Sequence, residues 1–182
     1  MKEVVPKSGH AKLSRNLEIV KNCLDGVVEK TQISSVSMGE KSFSAILLEW
    51  GPTPVFIIDR GKYVTITVQA MFDKSVKEAM KKLPPELLET YRLSFLQEIL
   101  SNHRTGVAYI PPQFKVITEI QGFNLIQNIH LSGSPESCTR VTDGIQEVIS
   151  VAIRTMTMIT NGLAPFSAPD QQPKPPPETM YQ

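Results

Sequence analysis

The sequence predicts an α+β domain with a single twisted antiparallel sheet of about five strands flanked by helices, in the order α-β-β-β-α-β-β-α. Two patterns indicate this class: apolar residues recur at helical spacing near both ends of the chain, whereas apolar and polar residues alternate in its middle. A third observation is size, because 182 residues of which 41% are hydrophobic can bury one core without metal or disulfide support.

The first half of the domain is expected to hold one helix and three strands. An apolar stripe at helical spacing, behind the capping residue Ser14, predicts the helix; it consists of Leu13, Leu17, Val20, Leu24 and Val27. The apolar runs 43–50 and 55–58 are bounded by prolines and a glycine turn, which is typical of buried strands. Strict alternation over 63–72 predicts a half-buried antiparallel strand.

The second half begins with a helix that Pro84 and Pro85 interrupt. Two alternating stretches follow, 114–120 and 123–131, and they predict a hairpin whose two-residue loop is Gln121-Gly122. The segment 107–110 could extend the first of these strands, but Pro111 and Pro112 interrupt it, so its structure stays open.

The last helix is expected to run from Pro135, after the capping residue Ser134, to a left-handed stop at Asn161-Gly162. A strand is the alternative, since some of its residues also alternate, but its length favours a helix. Val151 and Met158 form a second apolar stripe away from the main one. A second buried face needs a second surface, so these two residues, with Trp50 at the end of a strand, are predicted to form a protein-binding or homodimer face.

The two ends of the chain differ in composition from the domain. Residues 1–12 are expected to be a flexible lead, residues 13–162 the folded domain, and residues 163–182 a disordered tail, because six of the 14 prolines lie in that last segment. Four of these, Pro173, Pro175, Pro176 and Pro177, could hold polyproline II geometry and dock on a partner; a plain spacer is the alternative.

The order of these elements resembles the secretion-chaperone-like fold, shared by class I type III secretion chaperones and YbjN-like proteins. The resemblance covers residues 14–162 and is carried by element order, the alternating strand at 64–72 and the long last helix. It implies a homodimer that binds extended segments of partner proteins on apolar grooves. Those chaperones tend to be acidic, whereas this chain has a net charge of +1, which favours a general adaptor over a dedicated export role.

Composition also narrows the location and the partners. The balanced charge makes nucleic acid an unfavourable partner, and no apolar run is long enough to span a membrane. Two cysteines, Cys23 and Cys138, are too few for a secreted disulfide framework and suggest free thiols in the cytoplasm. The histidines fall on separate elements, so neither a metal site nor a cofactor is expected.

Two alternatives to a non-enzymatic, chaperone-like binding module remain. The Ser132–Cys138 junction could supply a thiol nucleophile near His130, or bind an anion or small ligand, although helix capping and a buried thiol explain it more simply. The lysines between Lys74 and Lys82 could contact nucleic acid, although a solvated helix face is the simpler interpretation.

Overall fold

An antiparallel sheet forms one layer of the protein, and a long C-terminal helix crosses it. We describe the protein from a computed structural model, which covers residues 13–28, 31–38, 41–50, 53–100, 104–114 and 117–167. The α+β class expected from the sequence is confirmed, with six strands where about five were expected. The expected lead and the end of the expected tail, residues 1–12 and 168–182, lie outside these ranges.

The strands follow the spatial order β1-β2-β3-β4-β6-β5, and every neighbouring pair is antiparallel. The elements are α1 Arg15–Leu24, β1 Thr31–Met38, β2 Lys41–Trp50, β3 Thr53–Asp59, β4 Val64–Met71, α2 Lys74–Lys82, α3 Pro85–Leu100, β5 Gly106–Ile110, β6 Gly122–Ile129 and α4 Pro135–Ser167. A single turn of 3₁₀ helix, Ile117–Glu119, precedes β6. The predicted first helix, the broken middle helix and the alternating strand are all present.

One strand was missed and one was misplaced. Strand β1 was not predicted from the sequence, because five of its eight residues are polar and its apolar residues do not alternate regularly, yet β1 pairs with β2 along its whole length. The expected strand at 114–120 is wrong: that stretch contains the 3₁₀ turn, and the strand that pairs with β6 is β5, in the segment left open. The ring of Phe114 packs instead against Tyr109, with centroids 5.3 Å apart.

The expected Gln121-Gly122 hairpin loop is therefore also wrong. Gln121 donates its backbone N–H to the carbonyl oxygen of Ile110, and Gly122 is already part of β6, opposite both Ile110 and Met71. The chain between β5 and β6 is thus a long connection, and Gly122 lies inside the sheet.

The core forms between α4 and the helix-facing side of the sheet. Alternate residues of β4, including Ile66 and Val68, are fully buried beneath α4 together with Ile145 and Val148. Gly144 allows this contact to be close: a Cβ atom there would lie 2.5 Å from Cδ1 of Ile129. A side chain at position 144 would therefore have to displace the end of Ile129.

The expected helix stop at Gly162 is wrong. The helix α4 continues to Ser167 and includes Pro165, which removes a backbone N–H only near the last turn. Leu163, expected in the disordered tail, is buried in the core cluster. The folded part of the chain thus extends past the expected boundary at residue 162.

We expect Gly122→Ala to lower the free energy of unfolding by about 2 kcal/mol or more. The added Cβ would overlap the backbone carbonyl oxygen of Ala70, and 3.0 Å would separate it from Cα of Met71, so the β4–β6 ladder itself must move. Urea denaturation measures the effect.

Gly106→Ala is the matched control, because its nearest non-neighbouring atom would be the carbonyl oxygen of Ile126 at an ordinary 3.7 Å. We expect that variant to stay within about 0.5 kcal/mol of the wild type. Equal losses in the two variants would contradict the assignment of Gly122 to a close backbone approach.

Candidate functional site

An apolar cavity of about 320 Å³ lies near the C-terminal end of α4, where α2 and α3 pack beside it. Met80 and Leu83 line it from the α2 side, Tyr91 from α3, and Met158 and Leu163 from α4. These walls come from three helices that meet at one end of the core. The cavity is open to solvent on one side, so a group from outside can enter it.

The polar groups on the cavity wall already have partners. The hydroxyl of Thr90 donates to the carbonyl oxygen of Glu86 at 3.3 Å, and that of Ser94 to the carbonyl oxygen of Thr90 at 3.0 Å. The Tyr91 hydroxyl donates to the carbonyl oxygen of Gly162 at 2.5 Å. The three hydroxyls are thus hydrogen-bonded to the backbone, and the surface available to a ligand is mainly apolar.

Gly162 shapes the cavity by letting Tyr91 approach α4. A Cβ at Gly162 would lie 2.5 Å from Cε1 of Tyr91, so the aromatic ring occupies the space of the missing side chain. The glycine that the sequence presented as a helix stop is therefore a contact site for α3. Together with the Tyr91 hydrogen bond, it holds α3 against α4 and forms one wall of the cavity.

Of the two predicted interaction residues whose side chains the structure describes, Val151 and Met158, Met158 lies at an accessible site. Val151 is fully buried in the core, so the expectation that it presents a free second face is wrong. The reason is that α1, α2 and α3 all pack against α4 in addition to the sheet, so that the second apolar stripe is covered at Val151 within one chain. The side chain of Trp50 and the tail prolines Pro173, Pro175, Pro176 and Pro177 lie outside the described residues.

The prediction that the two cysteines are free thiols is wrong. Cys23 of α1 and Cys138, in the first turn of α4, form a disulfide with a Cα–Cα distance of 4.8 Å. Cys138 therefore cannot serve as the nucleophile that the alternative enzyme hypothesis required. His130 packs edge-on against the ring of Tyr63 with centroids 5.7 Å apart.

The Ser132–Cys138 junction is held together by its own hydroxyls. Ser132 donates its backbone N–H to Oγ of Ser137 at 3.1 Å, and the hydroxyls of Ser132 and Ser134 lie 2.8 Å apart. This network orders the entry into α4, where Ser137 also donates its backbone N–H to the carbonyl oxygen of Ser134 at 2.9 Å. Within the described ranges, no cluster of three or more His, Cys, Asp or Glu residues could hold a metal ion.

A polar groove lies near this junction, between the start of α1 and the end of β3. Asp59 there accepts hydrogen bonds at Oδ1 from Nδ2 of Asn16 at 2.9 Å and from the backbone N–H of Gly61 at 2.8 Å. Burial raises the pKa of Asp59, but hydrogen bonds from Ser14, Asn16 and Gly61 outweigh it and hold the pKa below the ordinary value. This carboxylate ties α1 to the sheet.

The lysines of α2 lie on its outer side. The helix buries Val76, Ala79 and Met80, and its remaining residues include four lysines: Lys74, Lys77, Lys81 and Lys82. Lys81 pairs with Glu78 at 3.2 Å on the exposed surface. The same short helix therefore contributes an apolar wall to the cavity and a basic face to the surface.

We expect Gly162→Ala to destabilise the protein by about 1–3 kcal/mol, because the new methyl group displaces the Tyr91 ring. In a Tyr91→Ala background the same change should become neutral, or stabilising by up to about 1 kcal/mol, since alanine is the better helix former. Urea denaturation of the wild type, both single variants and the double variant measures this reversal. A loss of similar size in both backgrounds would show that Tyr91 does not occupy the space at Gly162.

We expect the double variant Cys23→Ala/Cys138→Ala to lose about 2–4 kcal/mol of unfolding free energy. The cross-link joins residues 115 positions apart and restricts the unfolded chain. Urea denaturation with and without dithiothreitol provides the internal control: the reductant should destabilise the wild type and leave the double variant unchanged. A wild type that is insensitive to the reductant would contradict the disulfide.

None of the helices in the described part of the chain is long and apolar enough to cross a membrane. No protein-family model matches the sequence, and no curated protein matches it. Among solved structures, the fold is similar to the crystal structure of an uncharacterized protein from Methanothermobacter thermautotrophicus, with a TM-score of 0.67. That similarity spans 81% of this chain and 99% of the other at 13% sequence identity, so it concerns the fold alone.

Proposed function

We propose that the protein is a non-enzymatic, chaperone-like binding module that takes up an apolar segment of a partner protein in the cavity between α2, α3 and α4. The observation that carries the proposal is the cavity of about 320 Å³, whose lining is apolar and whose hydroxyls are already hydrogen-bonded to backbone. Transfer of an apolar side chain from water to such a site is favourable. Met158, one of the three residues predicted from the sequence to form an interaction face, lies in its wall.

The surroundings of the cavity favour a protein segment over an isolated small ligand. Leu87, one turn before Tyr91 on α3, is 38% exposed, and so the apolar surface continues beyond the cavity on the same helix face. A segment could place one apolar side chain inside and a second one against Leu87. This is the helix-groove type of recognition, in which a few apolar anchors supply most of the affinity.

The charge of α2 indicates the chemistry of the segment. Four lysines and one glutamate give the exposed side of this helix a net positive charge next to the apolar wall that Met80 provides. Acidic residues that flank an apolar core would complement this face, mainly by speeding association and selecting partners. We therefore propose an apolar segment with acidic flanks as the partner.

The disulfide bears on where this binding takes place. Disulfides persist in oxidising compartments and are rare in the cytosol, where thiol reductants keep cysteines reduced. The bond between Cys23 and Cys138 therefore supports a site of action in an oxidising compartment, in place of the cytoplasm suggested by the low cysteine count.

The proposal is tested with two defined peptides, one leucine-rich with glutamate flanks and one identical except for lysine flanks. We expect the acidic peptide to bind the wild type and Met158→Glu to weaken that binding by about tenfold or more, because a carboxylate would enter an apolar cavity. Isothermal titration calorimetry measures both affinities.

The control is Ile153→Glu, which introduces the same charge on α4 at a side chain that is 50% exposed and does not line the cavity. Its affinity should stay close to that of the wild type. Unchanged binding by Met158→Glu would exclude the cavity as the site. Equal affinities for the two peptides would exclude the role assigned to the lysines of α2.

A further inference from the structure

The cavity between α2, α3 and α4 lies beside the point where the chain leaves the folded domain. Leu163, four residues before the end of α4 at Ser167, lines the cavity and is buried, and Phe166 also packs against the core. At a helical rise of about 1.5 Å per residue, α4 ends about 6 Å beyond Leu163 along its axis. The residues that follow Ser167 therefore begin next to the cavity.

The sequence after Ser167 contains one short apolar segment with an acidic neighbour. Residues 168–177 are alanine, proline and polar types, so the first large apolar side chain after α4 is that of Met180, and Tyr181 follows it. Glu178 lies two positions before Met180. An apolar core next to a carboxylate is the chemistry that complements the cavity and the lysines of α2.

The connecting residues are numerous enough to return Met180 to the cavity. An extended chain spans about 3.3 Å per residue, so the 13 residues from 168 to 180 can cover roughly 43 Å. Met158 is the lining residue of α4 farthest from the end of that helix, at about 14 Å along its axis. The chain can therefore turn back and reach any part of the cavity.

The segment at the other end of the chain is a less suitable occupant. Residues 1–12 join α1, and the disulfide between Cys23 and Cys138 holds α1 at the first turn of α4, about 37 Å along that helix from Leu163. They carry three lysines and one glutamate, which the lysines of α2 would repel. Residues 168–182 carry two acidic residues and one lysine, so their charge favours this site.

We propose that Met180 occupies the cavity in the free protein, so that residues 178–182, which lie outside the described ranges, compete with the partner segment. This inference rests on the proposed function, because it assigns a regulator to the same site. The partner must displace the chain's own segment before it binds. The cavity thus selects for partners whose affinity exceeds that of residues 178–182.

Met180 suits the interior of the cavity better than Tyr181 does. A thioether needs no hydrogen-bond partner, whereas a tyrosine hydroxyl does, and the hydroxyls of the cavity wall are already bonded to backbone. Met80 and Met158 are adaptable wall residues, and the ring of Tyr91 gives a sulfur atom a favourable aromatic contact. Tyr181 then covers the edge of the cavity with its hydroxyl in water.

The tether sets the size of the expected effect. A short flexible linker gives a local concentration of about 1 mM at the site. With an intrinsic Kd of about 0.1–0.5 mM, the segment would weaken the binding of a partner by about three- to tenfold. This is enough to exclude weak partners and leaves tight ones able to bind.

The position of Met180 is tested by NMR of the full-length protein labelled at its methionine methyl groups. We expect a nuclear Overhauser contact between the Met180 methyl group and the ring of Tyr91, and a shift of the Met158 methyl resonance in Met180→Ser. The control Gln172→Ser, in the connecting residues, should leave that resonance in place. Met71, which is 45% exposed and does not line the cavity, is the internal reference.

The competition is tested by calorimetry with the leucine-rich, glutamate-flanked peptide. We expect Met180→Ser to bind it about three- to tenfold more tightly than the wild type does, because the competing side chain is gone. The control Gln172→Ser should bind it with the affinity of the wild type.

The proposal is overturned if Met180 does not contact Tyr91 in the wild type, or if Met180→Ser leaves the Met158 resonance unchanged. A Met158 resonance that shifts on dilution would also overturn it, since the segment would then dock on another copy. Equal peptide affinities of the wild type and Met180→Ser would exclude the competition and leave the proposed function intact. A peptide that binds neither protein would contradict the proposed function, whereas the contact between Met180 and Tyr91 would still decide the position of the segment.

Discussion

The close approach of α4 to the sheet is the constraint on which the rest of the structure depends. Gly144 permits it, because a Cβ atom there would lie 2.5 Å from Cδ1 of Ile129 and 3.1 Å from Cδ1 of Ile66. The helices α1, α2 and α3 each pack against α4 in this position. The core, the cavity and the buried site of Val151 are all built on α4.

The elements that could be predicted from the sequence are those with a strong apolar periodicity. The alternation at 63–72 identified β4, and helical spacing identified α1 and α4. The edge strand β1 escaped detection because a strand rich in serine carries little periodic apolar signal. Periodicity also identifies apolar stripes on a helix but does not show which element packs against each stripe. For this reason Val151 was predicted to lie on an exposed face, whereas it is fully buried.

Individual residues show why the candidate site was only partly predictable. Glycine ends helices and also admits close neighbours, and the sequence around Gly162 cannot distinguish a stop from the contact with Tyr91. Cys23 and Cys138 lie 115 positions apart, and only the tertiary packing of α1 on α4 brings them together. Met158 was found because it combines an apolar character with a helical position at the margin of the buried face.

The disulfide also gives the molecule a covalent topology. It closes the chain between α1 and the first turn of α4 into a ring that contains the whole sheet, α2 and α3, while most of α4 extends from it as an arm. A protease that cuts one exposed connection of this ring produces two pieces that remain joined through sulfur. Such a nicked molecule would keep its full mass until a reductant separates the fragments, and its strands would stay close enough together to remain paired.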